Sequence, residues 1–205
     1  MRITVFGATS PTGRAFIDRA EARGNATVAV VRDPARLQDT TPTFTVVGSV
    51  FDRAVVRDSI AGSDAVFLTL GARGNRKSHL YSIVTQSIVE AMRAEEVSRI
   101  VVMSEAAYDH HTTGLLNRMI SFAYAAVSRP VIKERRHQDQ ILAESGLSWT
   151  IVRPGVLTDS ADEEPLERRT LPHGRLTDRT GRLQLADLVL NSLDHPGTYQ
   201  KSLYP

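Results

Sequence analysis

Residues 3–13 read Ile3-Thr4-Val5-Phe6-Gly7-Ala8-Thr9-Ser10-Pro11-Thr12-Gly13, an apolar run that leads directly into two glycines with small polar residues between them. The apolar run predicts a strand over residues 2–6, and the spacing of the apolar residues after Thr12 predicts a helix that stops near Gly24. In such a unit Gly7 lets the chain turn sharply out of the strand, and Gly13 lets the helix pack closely against the sheet. The first helical turn then offers free N–H groups to a phosphate.

This turn is the candidate phosphate-binding element of the chain. Two glycines at this spacing also suit any tight turn from a strand into a helix. Here they follow the first strand and enclose hydroxyl side chains, which favours the pyrophosphate of a dinucleotide as the ligand. The residues predicted to hold it are Gly7, Thr9, Ser10, Pro11, Thr12 and Gly13.

Outward from this turn, strand and helix patterns alternate to the end of the chain. Apolar runs predict further strands over residues 27–31, 44–47, 65–70, 99–103 and 149–152. Helical spacing predicts helices over residues 35–37, 52–60, 78–94, 131–144 and 185–193. Nearly continuous apolar strands are buried on both faces, and crossovers between parallel strands are right-handed. We therefore expect an α/β protein with a three-layer Rossmann fold, whose doubly wound, mostly parallel sheet forms a single domain over residues 1–205.

The composition excludes several other classes of protein. The chain has no cysteine, which excludes a disulfide framework, a thiolate zinc site and a cysteine nucleophile. Its net charge is only +2 and its arginines are interleaved with acidic residues, so the basic residues indicate a solvated surface and no nucleic-acid partner. His110 and His111 are adjacent and have no third ligand at a suitable spacing, so no metal site is expected.

The apolar segments also bear on location. No run approaches the roughly 18 apolar residues of a membrane span, and the first residues predict a strand and not a signal peptide. We therefore expect a cytoplasmic protein with no membrane partner.

The end of the second predicted strand bears on the choice of cofactor. An acidic residue at this position usually binds the ribose of NAD, whereas an arginine there accommodates the 2′-phosphate of NADP. The strand ends Val30-Val31-Arg32-Asp33, and Arg36 follows one helical turn later. Arg32 is therefore the predicted ligand of the 2′-phosphate, which makes NADP(H) the expected cofactor. The alternative is a surface arginine that pairs with Asp33.

Three stretches carry a resemblance to a known group of proteins. They are the turn at residues 7–13, the strand end at residues 31–33, and the run Ser145-Gly146-Leu147-Ser148-Trp149-Thr150-Ile151-Val152-Arg153-Pro154-Gly155. Together they resemble the atypical short-chain dehydrogenases/reductases, and within these the NmrA-like NAD(P)H-binding proteins and the biliverdin-IXβ and flavin reductases. The resemblance covers nearly the whole chain, and the last run is its most specific part.

The resemblance implies that NADPH lies across the carboxyl ends of the strands, with its nicotinamide near the loops after the fourth, fifth and sixth strands. The serine that matches Ser104 in the flavin reductases lies beside the nicotinamide. Ser104 is therefore the candidate catalytic residue, which would orient the carboxamide or donate a hydrogen bond to the acceptor. The alternative is a small residue that ends a strand. The cofactor-binding residues implied in these loops are Leu70, Gly71, Ala72, Ser104, Pro154 and Gly155.

The sequence departs from the family pattern at four places. Ser10 replaces the middle glycine of the turn, which predicts a looser approach of the backbone to the pyrophosphate. Ser49 stands where an acidic residue near the adenine is usual, and Gly155 stands where the bile-pigment reductases have a histidine, which argues against biliverdin as the substrate. The usual Tyr-x-x-x-Lys pair is absent, because Arg129 stands four residues before Lys133. Lys133 is a second catalytic candidate, as a contact to a ribose, with a solvated helix lysine as the alternative.

Two hypotheses about function follow. The first is an NADPH-dependent oxidoreductase that passes hydride to a flat small-molecule acceptor such as a flavin or a quinone, and that works as a monomer or homodimer. The second is a non-catalytic NADP(H)-sensing regulatory protein of NmrA-like type, which acts through a protein partner. The absent Tyr–Lys pair makes alcohol dehydrogenation and sugar epimerisation poor alternatives to both.

Overall fold

The computed structural model describes residues 1–71, 79–105, 115–159, 164–171 and 179–205. Its strands are β1 (Arg2–Phe6), β2 (Ala26–Val31), β3 (Phe44–Val47), β4 (Ala65–Leu68), β5 (Arg99–Met103), β6 (Ser148–Val152), β7 (Val156–Thr158), β8 (Arg179–Gly181) and β9 (Lys201–Leu203). Its α-helices are α1 (Pro11–Ala22), α2 (Arg53–Ile60), α3 (Leu80–Ala94), α4 (Leu115–Ala143) and α5 (Arg182–Leu193). Short 3₁₀ helices span Pro34–Leu37 and Pro196–Thr198.

One parallel sheet contains seven of these strands, in the order β3-β2-β1-β4-β5-β6-β9. The chain runs outward from β1 to β3 on one side and then returns to β4 on the other side. The point between β1 and β4 where this direction changes is where open α/β sheets bind their ligands. The register brings Phe6 of β1 level with Val30 of β2 and Leu68 of β4, so these three strands end close together. The predicted doubly wound Rossmann fold is confirmed.

Alternate residues of the strands face two apolar cores, one on each side of the sheet. On one side Ile3 and Val5 pack beneath α1 and α5, where the rings of Phe16 and Phe67 lie 4.4 Å apart. On the other side Phe6 lies in the core formed with α2, α3 and α4. Because β1, β4 and β5 are covered on both faces, their side chains are almost all buried, as expected for central strands of a parallel sheet.

Three features of the fold were not predicted. Helix α4 begins at Leu115 and bends at Ser128, whose backbone angles (φ −107°, ψ 15°) depart from helical values, just before Pro130. Proline lacks an N–H and breaks regular helical bonding, so the sequence indicated a helix only after that residue. Strand β9 and the small parallel sheet of β7 and β8 have three residues each, too few to give a periodic pattern.

A buried arginine joins the last part of the chain to the sheet. Arg99, at the start of β5, is 4% exposed and stacks over the ring of Tyr199 at 4.6 Å. Its guanidinium donates to the carbonyls of Leu193, Ser192 and Ser148 at 2.6–3.1 Å. Burial lowers the pKa of Arg99 to about 10, so the group remains charged at neutral pH and needs these acceptors.

We predict that Arg99→Met reduces the free energy of unfolding by about 1–3 kcal/mol, because it leaves buried carbonyls without donors. Urea denaturation followed by circular dichroism would measure this. Arg53→Ala is the control, since Arg53 pairs with Glu90 while 76% exposed and should change stability very little. Equal effects of the two substitutions would contradict the prediction.

No helix in the described part of the chain is both long and apolar enough to cross a membrane.

Candidate functional site

A cleft with a volume of about 620 Å³ opens at the carboxyl ends of β1, β2, β3 and β4. It lies at the switch point between β1 and β4, where the fold predicts a ligand. Among the described residues that line it, none is acidic. They are Gly7, Thr9, Ser10, Val30, Val31, Arg32, Arg36, Gly48, Ser49, Val50, Phe51, Thr69, Leu70, Gly71 and Leu80.

The two glycines of the turn are required by close contacts of the backbone. Gly7 has φ +89°, and a Cβ added there would lie 2.5 Å from the carbonyl oxygen of Thr69. A Cβ added to Gly13 would lie 2.3 Å from the carbonyl oxygen of Gly7. The first turn of α1 therefore packs directly on the turn that leaves β1, and any side chain would separate them.

Ser10 closes this turn from within. Its hydroxyl accepts a hydrogen bond from the Gly13 N–H at 2.9 Å, and its own N–H donates to the Gly7 carbonyl at 2.9 Å. Pro11 has no N–H, so among the first residues of α1 the N–H of Thr12 is left without a partner in the described part of the chain. A helix N-terminus with an unpaired N–H is suited to bind a phosphate oxygen.

Two arginines lie at the end of the cleft beside β2. Arg32 and Arg36 are both exposed, and Arg36 also lines an adjoining pocket of about 330 Å³ with Thr9 and Arg14. Asp33 does not pair with Arg32. Its carboxylate instead accepts from the Ala35 N–H at 3.1 Å and caps the first 3₁₀ helix. The guanidinium of Arg32 makes no ion pair within the described residues and is free to bind an anion in the cleft.

The other predicted site residues lie elsewhere at the same edge of the sheet. Ser104 is buried directly after β5, and its N–H donates to the Val152 carbonyl at 2.8 Å. Pro154 is buried and Gly155 is half-buried after β6, while Lys133 is exposed on α4. None of these residues lines the cleft. Ala72, His110 and His111 fall outside the described part of the chain.

A buried cation that the sequence did not single out, Arg135, lies at the end of β5 directly before Ser104. It is 5% exposed, donates to the Met103 carbonyl at 3.0 Å, and stacks over the Tyr81 ring at 3.6 Å. A helix turns by about 100° per residue, so Lys133 and Arg135 lie on different faces of α4. The cleft residues Val50, Phe51 and Leu80 were also missed, because isolated apolar residues after strands give no distinctive signal.

A carboxylate is held between α3 and α4 next to Arg135. Glu134 is 9% exposed, and it accepts from the Ser82 hydroxyl at 2.7 Å and from His79 Nδ1 at 2.9 Å. Burial raises the pKa of Glu134, but the hydrogen bonds from Ser82 and His79 outweigh it and hold the pKa below its ordinary value of 4.5. Glu134 is therefore ionised at neutral pH.

The turn at residues 7–13, the switch point and the arginines beside β2 together define a dinucleotide-binding Rossmann protein. A model of the NAD(P)H-binding family matches residues 7–196, and the chain belongs to this family. It is therefore an NAD(P)H-binding protein with an oxidoreductase-like fold.

Solved structures agree with this assignment of the fold. A Rossmann-fold NAD(P)-binding family protein from Shigella flexneri is 22% identical, with a TM-score of 0.74 over 99% of this chain and 91% of that one. An anaerobillin reductase from Escherichia coli O157:H7 is 18% identical, with a TM-score of 0.79 over 100% and 96%. A short-chain dehydrogenase/reductase from Veillonella parvula in complex with NADP is 18% identical, with a TM-score of 0.76 over 99% and 93%. At these identities the likeness shows the fold alone.

We predict that Gly13→Ala destabilises the protein by about 1–3 kcal/mol, because the new methyl group would force α1 away from Gly7. It should also weaken NADPH binding, since the phosphate-binding turn is displaced. Thermal denaturation and fluorescence titration would measure the two effects. Gly71→Ala is the control for the loss of stability, because its Cβ would meet no atom of the described residues within 4 Å. A folded Gly13→Ala variant with unchanged NADPH affinity would contradict the prediction.

Glu134→Gln should lower the free energy of unfolding at pH 7 by about 1–3 kcal/mol, because charge-assisted hydrogen bonds from Ser82 and His79 are lost. The folded-state pKa of Glu134 is lowered, so its contribution is present above the unfolded value and disappears as the pH falls through the lowered pKa. Urea denaturation of the variant and of the unaltered protein would measure this, because their free energies of unfolding should differ at pH 7 and become similar below pH 4. Glu144→Gln, at an exposed position directly after the same helix, is the control.

Proposed function

We propose that the protein is an NADPH-dependent reductase that transfers hydride to a flat acceptor such as a flavin or a quinone. The observation that carries the NADPH preference is the pair Arg32 and Arg36 at the end of a cleft that has no acidic residue in its described lining. A guanidinium binds a phosphate through paired, charge-assisted hydrogen bonds. An NAD-specific site would require a carboxylate at this position.

The described residues fit the adenosine and pyrophosphate parts of this cofactor. The Thr12 N–H and the glycine turn would hold the pyrophosphate, and Arg32 with Arg36 would hold the 2′-phosphate. Val50 and Phe51 offer apolar surface to the adenine. When bound, the nicotinamide supplies the hydride.

The expected acceptor is a small molecule that stacks on the nicotinamide. The sheet and its two helix layers account for most of the chain, so the acceptor site would be shallow and formed by loops. Arg129 and Lys133 are both exposed on α4, which leaves no Tyr–Lys pair there to protonate an alcohol or ketone in the usual way. Stacking of donor against acceptor supplies much of the rate when the two rings are held in contact. We expect neither a nucleic-acid nor a membrane partner, and activity as a monomer or homodimer.

A second candidate is the NADP(H) sensor that acts through a protein partner. The exposure of Lys133 favours it, because the residue nearest to the family's catalytic lysine is not among the described residues that line the cleft.

The two candidates are separated by one experiment. NADPH binding is titrated by fluorescence, then FMN or a water-soluble quinone is added and the absorbance of the reduced nicotinamide is followed. The reductase predicts loss of the signal that depends on both protein and acceptor. Tight binding with a stable signal across flavins and quinones would reject the reductase in favour of the sensor.

Arg32→Ala should weaken NADPH binding roughly ten- to a hundredfold while NADH binding is unchanged, because a charge-assisted hydrogen bond contributes about 1.5–3 kcal/mol. Fluorescence titration with each cofactor would measure the two affinities. Arg53→Ala removes an exposed arginine that lines no described pocket and is the matched control. Equal losses for NADPH and NADH would contradict the assignment of Arg32 to the 2′-phosphate.

A further inference from the structure

His79 and Glu134 form an imidazole–carboxylate pair between α3 and α4. His79 immediately precedes α3, and its Nδ1 lies 2.9 Å from Oε1 of Glu134. The other carboxylate oxygen, Oε2, accepts from the Ser82 hydroxyl at 2.7 Å. The carboxylate is thus fixed at both oxygens, and its position is set by two helices.

The two partners differ sharply in exposure. The side chain of Glu134 is 12% exposed, whereas the imidazole of His79 is 74% exposed. An ionised carboxylate can only accept hydrogen bonds, so Nδ1 of the imidazole must carry the proton that it donates to Glu134. The second ring nitrogen, Nε2, is therefore the atom that can give or take a proton, and the ring is open to solvent.

The pair lies at the edge of the sheet where the cofactor cleft opens. Leu80, the next residue after His79, lines the cleft together with Leu70 and Gly71. On the other side, Arg135 follows Glu134 and reaches the Met103 carbonyl, directly before Ser104. Leu80, which follows His79, and Arg135, which follows Glu134, thus place the pair between the cleft and the end of β5.

We propose that His79 is the proton donor of the reductase and that Glu134 is the residue that positions it. This inference rests on the proposed function, and it supplies the proton donor that the absent Tyr–Lys pair leaves open. For a quinone, the hydride of NADPH forms one bond to the acceptor and leaves NADP⁺. The Nε2–H bond of the imidazolium breaks as an O–H bond forms on the acceptor, and the neutral imidazole regains its proton from water.

A structural role for the same pair is the competing explanation, since His79 also joins the start of α3 to α4. The test must therefore separate proton transfer from folding. His79→Ala removes the imidazole at an exposed site that free imidazole can enter. His137→Ala removes another exposed histidine, on α4, and is the matched control.

We expect His79→Ala to keep its NADPH affinity, and to lose no more thermal stability than Glu134→Gln, but to reduce quinone turnover at least tenfold, as a lost general acid does. Added imidazole should restore much of the rate in this variant, and neither effect should occur in His137→Ala. Glu134→Gln should give an intermediate loss of turnover that imidazole does not restore. Unchanged turnover in His79→Ala would overturn the proposal. A loss of turnover that matches a loss of thermal stability, and that added imidazole does not reverse, would also overturn it.

A second measurement does not depend on turnover. The imidazole signals of the protein are recorded by NMR, with those of His79 and His137 assigned from the two alanine variants, while NADP⁺ is added. A donor next to the nicotinamide requires that the His79 signal shifts on binding and that the His137 signal does not. A stationary His79 signal in protein that binds NADP⁺ would overturn the proposal. If the unaltered protein binds NADPH but reduces no acceptor, the proposed reductase function is rejected. If the unaltered protein is an active reductase and His79→Ala is equally active, only the role of His79 is rejected.

Discussion

The contact between α1 and the turn that leaves β1 fixes the position of the candidate phosphate-binding end of the site. Gly13 lies so close to the carbonyl oxygen of Gly7 that only a hydrogen atom fits between them, since a Cβ at this position would be 2.3 Å from that oxygen. This contact points the start of α1 at the carboxyl edge of the sheet, next to the switch point between β1 and β4. The N–H of Thr12, which has no partner in the described part of the chain, and the positive end of the helix dipole are thereby fixed beside the turn that lines the cleft.

Ser10 shows how the protein tolerates its departure from the family pattern. A glycine in the middle of the turn would let the backbone approach a phosphate closely, and its replacement predicted a looser site. Ser10 instead acts as the N-cap of α1, with its hydroxyl on the Gly13 N–H. The hydroxyl that sequence reasoning assigned to the phosphate therefore satisfies a backbone donor and tightens the turn. We propose that anion binding falls instead to the N–H of Thr12 and to the arginines beside β2.

The fold and this half of the site could be predicted because their signals are local. The turn, the strand end at Arg32 and the alternating apolar runs each lie in a few consecutive residues, and each has a direct physical meaning. A carboxylate beside an arginine suits both a salt bridge and a helix cap, and in the structure Asp33 is the cap. The three-residue strand β9 gives no periodicity of its own, and it forms because Arg99 and the residues around it bring the end of the chain back to β6.

The acceptor side of the site could not be predicted in the same way, because it depends on which face of α4 each residue occupies. Lys133, Glu134 and Arg135 are consecutive in sequence, but the helix points them in three directions: to solvent, to α3 and to the end of β5. Spacing relative to a known motif selected Lys133, which the bend at Ser128 and the packing of α4 leave on the outside. The same packing buries Arg135 against Tyr81 and presents Glu134 to His79. The polar group that reaches the end of β5 is therefore set by the face of α4 on which it lies, and not by its spacing from a known motif.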